Sequence, residues 1–186
     1  KKSIVLHVKT KKGKGLTQAE LNPSTYHGYS PNRWEKPSYS HIMGEKLTKM
    51  AKEDKDIFAI TAAMDEGTGL DTFKTQIPDR FIDVGICEEH AATMTSGLAI
   101  GGKKPYFAVY STFLQRAFDS VLHDICLSNL NVKLLIDRAG IVSGDGETHQ
   151  GIYDVSFLRL MPNMVIASPK DGVELEAMLN FSKDYV

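Results

Sequence analysis

Three short stretches of this 186-residue chain carry side chains that can do chemistry. The first is CEEH at 87–90, where a β-type apolar run (residues 80–86) gives way to an Ala-rich helical pattern (residues 89–99). Glu88 stands at that junction. A carboxylate at a helix N-terminus is favoured by the dipole and by the free backbone N–H groups of the first turn. In a cleft, the same carboxylate can share a proton with a ligand nitrogen. Both readings fit these residues. Glu89 competes for the second role, but one step along a helix turns it about 100° away.

The second stretch is STFLQR at 111–116. Phe113 and Arg116 are three apart, so on a helix they share a face. Tyr110 adds a polar aromatic tip three residues before Phe113. An aromatic here serves either the core or a flat ligand ring. The third stretch, residues 137–151 (DRAGIVSGDGETHQG), places Asp137, Arg138, Asp145, Glu147 and His149 among four glycines. Glycines let a backbone approach a ligand closely. The GDG at 144–146 invites a diphosphate–metal reading, but that pattern needs an Asn nearly thirty residues on. Asn163 is too near and Asn180 too far, so the metal reading is rejected and no metal ligand is assigned. A polar active-site loop fits better.

Alternating elements would position these groups. Apolar β-type runs fall at residues 57–62, 80–86, 106–110, 132–136 and 164–167, with a further short one at 3–8. Helical periodicity falls at about 40–52, where Ser40 offers a cap and Ile42, Leu47 and Met50 a buried face, and at 89–99, 113–127 and 173–181, with a short helix or turn at 68–76. Gly101 and Gly102 give a clear helix stop. Strands alternating with helices over short loops predict an α/β fold, a mostly parallel sheet with helices on both faces. Ligands of such sheets bind beyond the carboxyl ends of the strands, where all three stretches fall.

Residues 1–36 differ from the rest. The first fifteen hold six lysines and no acid, and Pro23 and Pro31 follow. They read as an arm or linker, and residues 37–186 as one domain. A formal net charge of -1 gives the chain no general affinity for nucleic acid. No apolar run approaches membrane-spanning length, which leaves a soluble intracellular protein as the expectation. Cys87 and Cys126 lie in no metal-like spacing and read as buried thiols. The absence of an initial Met and the abrupt end read as a piece of a longer protein.

The strings DVGICEEHAATMTSGLAIGGKKPYFAVYSTFLQRAFDSVLHD and DRAGIVSGDGETHQGIYD resemble the 1-deoxy-D-xylulose-5-phosphate synthases, which are thiamine-diphosphate enzymes. TKKGKG at 10–15 and Tyr26–His27 extend the resemblance into the arm. It implies a transketolase-like pyrimidine-binding domain preceded by an arm from a diphosphate-binding domain. Glu88 would hydrogen-bond the cofactor's aminopyrimidine and Phe113 would stack on it, with Met64 and Ile86 completing that pocket. Tyr110, Arg116 and Arg138 would hold the phosphate of D-glyceraldehyde 3-phosphate. Asp145 and His149 would line the substrate cavity, and His27 would lie near the reacting carbon. The implied reaction condenses pyruvate with D-glyceraldehyde 3-phosphate and releases CO2. The implied cofactors are thiamine diphosphate and Mg2+, the metal held by a preceding domain. The rest of its own chain and a second copy are the implied partners, and the bacterial cytoplasm, or a plant plastid, the location. The alternatives are another thiamine enzyme, a transketolase or the β-subunit of an α-keto acid dehydrogenase, and a non-catalytic module that binds an anion or a subunit.

Overall fold

The structure, a computed structural model, describes residues 2–24, 26, 27, 37–183 and 185. It divides into two units, Lys1–Pro37 and Ser38–Val186. In the first, the basic segment turns at 12–15 and enters one short helix, α1 (Thr17–Leu21). Glu20 ties that turn together, accepting from the Gly15 N–H at 3.0 Å and pairing with Lys11 Nζ at 2.5 Å. The Lys11 ammonium holds the Glu20 carboxyl below its ordinary range. The strand expected at 3–8 does not form. Ile4, Val5 and Leu6 are exposed, and no described strand pairs with them. An apolar extended segment becomes a strand only when a neighbour takes its N–H and C=O groups.

The second unit runs α2 (Tyr39–Glu53), β1 (Ile57–Thr61), α3 (Asp71–Gln76), β2 (Phe81–Asp83), α4 (Glu88–Ile100) and β3 (Lys104–Tyr110). A continuous helical stretch follows. It begins as α5 (Ser111–Leu114), tightens to a 3-10 turn at Gln115–Ala117, returns as α6 (Phe118–Ser120) and widens to a π-helix at Val121–Cys126. Then come β4 (Lys133–Asp137), α7 (Asp154–Leu158) and α8 (Gly172–Ser182). The four strands form one parallel sheet in the order β2-β1-β3-β4.

The period-two alternation of β3 explains the helices on both faces. Tyr106 and Ala108 join a core with Leu47, Phe73 and Leu179, from α2, α3 and α8. Phe107 and Val109 join the opposite core with Ala91, Ala92, Leu114 and Val121, from α4 and the helical stretch. All these residues are at most 3% exposed. Burial of this kind stabilises by roughly 25 cal/mol per Å² of apolar surface.

Three further expectations need correction. The cap of α2 is Ser38, which accepts from the His41 N–H at 3.2 Å; Ser40 lies inside the helix and its hydroxyl does other work. The apolar run 164–167 forms no strand: Val165 and Ile166 are exposed, and only Met164 packs against the core. Cys87 is exposed, while Cys126 is buried, and both are free thiols.

Candidate functional site at the carboxyl edge of the sheet

Because the strands are parallel, all four carboxyl ends reach one edge, and the chemistry-bearing residues gather there. The turn from β2 into α4 is set by Asp83, whose Oδ1 accepts from Gly85 N at 2.9 Å and from Ala63 N at 2.8 Å. Gly85 has φ +72°, a left-handed conformation that glycine adopts without a Cβ clash. This turn delivers Glu88 as the first residue of α4. Glu88 is 1% exposed, and its Oε1 accepts from Arg116 Nη1 at 2.7 Å. A buried carboxylate is costly unless paired, and here the guanidinium is its partner.

Arg116 also lies over Phe113, with Cζ 4.8 Å from the ring centroid. The i, i+3 spacing predicts this shared face, and the helical stretch supplies it. Tyr110 stacks near Phe113 at 5.9 Å between centroids, with the planes 15° apart. His149 meets the same ring edge-on at 5.3 Å and 85°. Thr148 steadies the histidine, its Oγ1 lying 2.8 Å from His149 Nδ1, and its carbonyl accepts from Thr112 Oγ1 at 3.2 Å.

Arg138 follows the end of β4 with φ +56°, a strained backbone for a non-glycine residue. Its Cζ lies 3.8 Å from the Tyr110 centroid, Nη1 donates to the Gly67 carbonyl at 3.0 Å, and Nε pairs with Asp145 at 3.2 Å. Asp137 sits 3.6 Å away and is itself fixed by the Ser40 hydroxyl at 2.6 Å. The loop carrying Arg138, Asp145 and His149 is closed at its base by bridges from Ala139 and Gly140 to Gly151. Gln150 fastens its middle, accepting from Val142 N at 2.8 Å and donating to the carbonyls of Val142 and Gly146 at 3.1 and 2.6 Å.

Seven of the expected residues therefore form one run of contacts: Glu88–Arg116–Phe113–Tyr110–Arg138–Asp145, with His149 on Phe113. Met64 is placed differently. It is buried in the core shared by Leu114 and Val109, and its carbonyl accepts from Thr68. Ile86 is 80% exposed beside the same turn as Glu88. His27 belongs to the first unit, where it is exposed. Gly67 and Asp154 escaped sequence reading. Gly67 acts through its carbonyl and through lacking a side chain, since a Cβ there would collide with the Tyr110 hydroxyl. Asp154 is buried, and neither oxygen has a well-formed hydrogen bond among the described residues. An acid opening the apolar turn DVSFL was the available signal.

The arrangement offers a buried acceptor and an aromatic face linked through Arg116, and, joined to them through Tyr110, a cation with carboxylate neighbours. The first pair suits a flat heteroaromatic ring with hydrogen-bonding nitrogens; the second suits an anionic, hydroxylated ligand. Among the described residues, no cluster of three or more His, Cys, Asp or Glu side chains is arranged to hold a metal ion. No described helix is long and apolar enough to cross a membrane.

The family described as "Transketolase, pyrimidine binding domain" matches residues 35–183. A 1-deoxy-D-xylulose-5-phosphate synthase of Clostridium perfringens (strain SM101) is 53% identical over 98% of this chain and 31% of its own length. One from Caldanaerobacter subterraneus subsp. tengcongensis is 54% identical over 97% of this chain and 30% of its own. The chain thus spans about 30% of the length of these curated relatives. Among solved structures, a transketolase from Campylobacter jejuni superposes with TM-score 0.73 at 22% identity, covering 90% of this chain and 27% of that one. A split-gene transketolase, described as an inactive beta4 tetramer, gives 0.69 at 28% identity over 78% of this chain and 48% of that one.

Proposed function

The chain belongs to the transketolase pyrimidine-binding domain family, and from that premise we propose that it is the ring-binding part of a 1-deoxy-D-xylulose-5-phosphate synthase. The observation that carries this reading is Glu88, a fully buried carboxylate at the N-terminus of α4 in the same run of contacts as the Phe113 ring. Relatives above 50% identity over nearly the whole chain bear that enzyme's name, which favours it over a transketolase or a dehydrogenase subunit.

When bound, thiamine diphosphate supplies the electron sink that decarboxylation of pyruvate requires. Glu88 would hydrogen-bond a ring nitrogen and supply or share a proton there, a contribution typically worth roughly 10²–10⁴ in rate. Phe113 orients the ring by stacking. Arg138 and Tyr110, with Arg116, receive the phosphate of D-glyceraldehyde 3-phosphate, a task suited to a planar guanidinium that can make paired charge-assisted bonds. His149 and Asp145 face the sugar portion, and His27 is assigned to the reacting carbon. The diphosphate and its Mg2+ are assigned to residues outside this chain, and residues 1–36 to an arm that precedes the ring-binding domain. A second copy is the proposed partner, in the cytoplasm. Met94, Gly97 and Leu98 of α4, with Lys103, line an open groove along the helix that suits close packing.

The test is product formation by a polypeptide that carries this chain at the full length of its relatives. Pyruvate and D-glyceraldehyde 3-phosphate should yield 1-deoxy-D-xylulose 5-phosphate only when thiamine diphosphate is added. Activity on ketose phosphates without pyruvate would point to a transketolase instead.

A further inference from the structure

Arg116 makes both contacts that the cofactor ring is given above. It hydrogen-bonds Glu88 at 2.7 Å and lies over Phe113 at 4.8 Å. Its guanidinium is flat, conjugated and rich in N–H donors, so it resembles a protonated aminopyrimidine in shape and charge. The burial of the pair is uneven: the Glu88 side chain is 2% exposed and that of Arg116 47%. Arg116 is therefore the solvent-facing member, and a ring nitrogen reaching Glu88 Oε1 meets the guanidinium there. Its backbone lies in the 3-10 turn Gln115–Ala117, between the α-helical turns Ser111–Leu114 and Phe118–Ser120. A change of helical hydrogen bonding within a run often marks a hinge.

We propose, resting on that reading of Glu88 and Phe113, that Arg116 is an internal competitor of the cofactor ring: the guanidinium and the aminopyrimidine are alternative partners of the same acid and the same aromatic face. Loading the ring displaces Arg116, and the displaced cation becomes available to an anionic ligand in the neighbouring space. Cofactor binding and anion binding are then linked through one side chain, each favouring the other. Keeping Glu88 paired also avoids a buried, uncompensated carboxylate while the ring is elsewhere.

The experiment is equilibrium titration of the full-length protein with thiamine diphosphate in excess Mg2+. Arg116→Ala removes the competitor, so its Kd should fall about three- to thirty-fold below wild type, the scale of one half-exposed ion pair with one cation–π contact. Arg116→Lys keeps the charge but loses the planar fork, and should fall between. A wild-type readout runs alongside. Mass-spectrometric mapping with an arginine-selective dicarbonyl should show Arg116 becoming more reactive on adding cofactor. An unchanged or weaker Kd in Arg116→Ala with its melting temperature kept, or protection of Arg116 by the cofactor, overturns the competition while leaving the ring site in place. Failure of the wild-type protein to bind thiamine diphosphate overturns the ring site and the competition together.

Discussion

Arg138 lies over the Tyr110 ring, its guanidinium carbon 3.8 Å from the ring centroid, although Arg138 comes from beyond β4 and Tyr110 from the end of β3. The two strands are hydrogen-bonded with Tyr110 opposite Asp137, so the pairing register of the sheet brings the two side chains together. The Gly67 carbonyl accepts from Arg138 Nη1, and the Asp145 carboxylate pairs with Nε across 3.2 Å. The cation is thus held in place before any ligand arrives, which lowers the ordering cost of binding one.

Arg138→Ala should weaken D-glyceraldehyde 3-phosphate far more than pyruvate. A lost charge-assisted contact costs about 1.5–3 kcal/mol, or roughly ten- to a hundred-fold in KM. Equal rises in both Michaelis constants would contradict a phosphate role. The backbone makes a second, separable prediction. With φ at +56°, Arg138→Gly should melt higher than Arg138→Ala, by an amount equivalent to about 1 kcal/mol, because only glycine holds that conformation without strain.

Gly67→Ala should damage the same place from beneath. The added Cβ meets the Tyr110 hydroxyl, so the tyrosine or the Gly67 loop must move, and the Arg138 contacts move with it. Overpacking of this kind typically costs 1–3 kcal/mol. The expected outcome is a lower melting temperature and a KM defect for the phosphorylated substrate. A variant with wild-type melting and kinetics would show that the close approach is unimportant.

Asp154 gives a pH dependence of stability. Burial pushes its carboxyl up, and the Ser111 hydroxyl opposes this less strongly. The folded protein therefore holds this proton more tightly than the unfolded chain. Its stabilising share is fullest below the ordinary carboxylate range and is lost as pH rises through the raised folded value. Asp154→Asn removes the ionisation while keeping the shape. The variant should gain stability over wild type at pH 8 and lose most of that advantage near pH 4. Parallel thermal melts at the two values check it; a constant difference would mean that Asp154 does not titrate in the predicted sense.

Much of this site was legible in the residues because its logic is local. Glu88 opens a helix, Phe113 and Arg116 share a helical face, and the 137–151 segment is too charged for an ordinary turn. The α/β alternation was legible for the same reason. What could not be read depends on distant partners. Residues 3–8 and 164–167 have strand-like composition, but pairing makes a strand, and no described neighbour pairs with them. Ser40 and Ser38 are equally good cap types by sequence. The structure gives the cap to Ser38 because Ser40 is drawn to Asp137, ninety-seven residues away. Gly67 contributes a carbonyl and an empty space, which residue type does not reveal.

Glu88 is proposed to be the acid that supplies a proton to the cofactor ring. This role is tested most directly by hydrogen exchange at C2 of thiamine diphosphate bound to the full-length Glu88→Gln variant. Glutamine keeps the size and the hydrogen-bonding shape but has no carboxyl proton to supply. The variant should still bind the cofactor while C2 exchange slows by about 10²–10⁴-fold. Exchange at the wild-type rate in a variant fully loaded with cofactor would contradict this role.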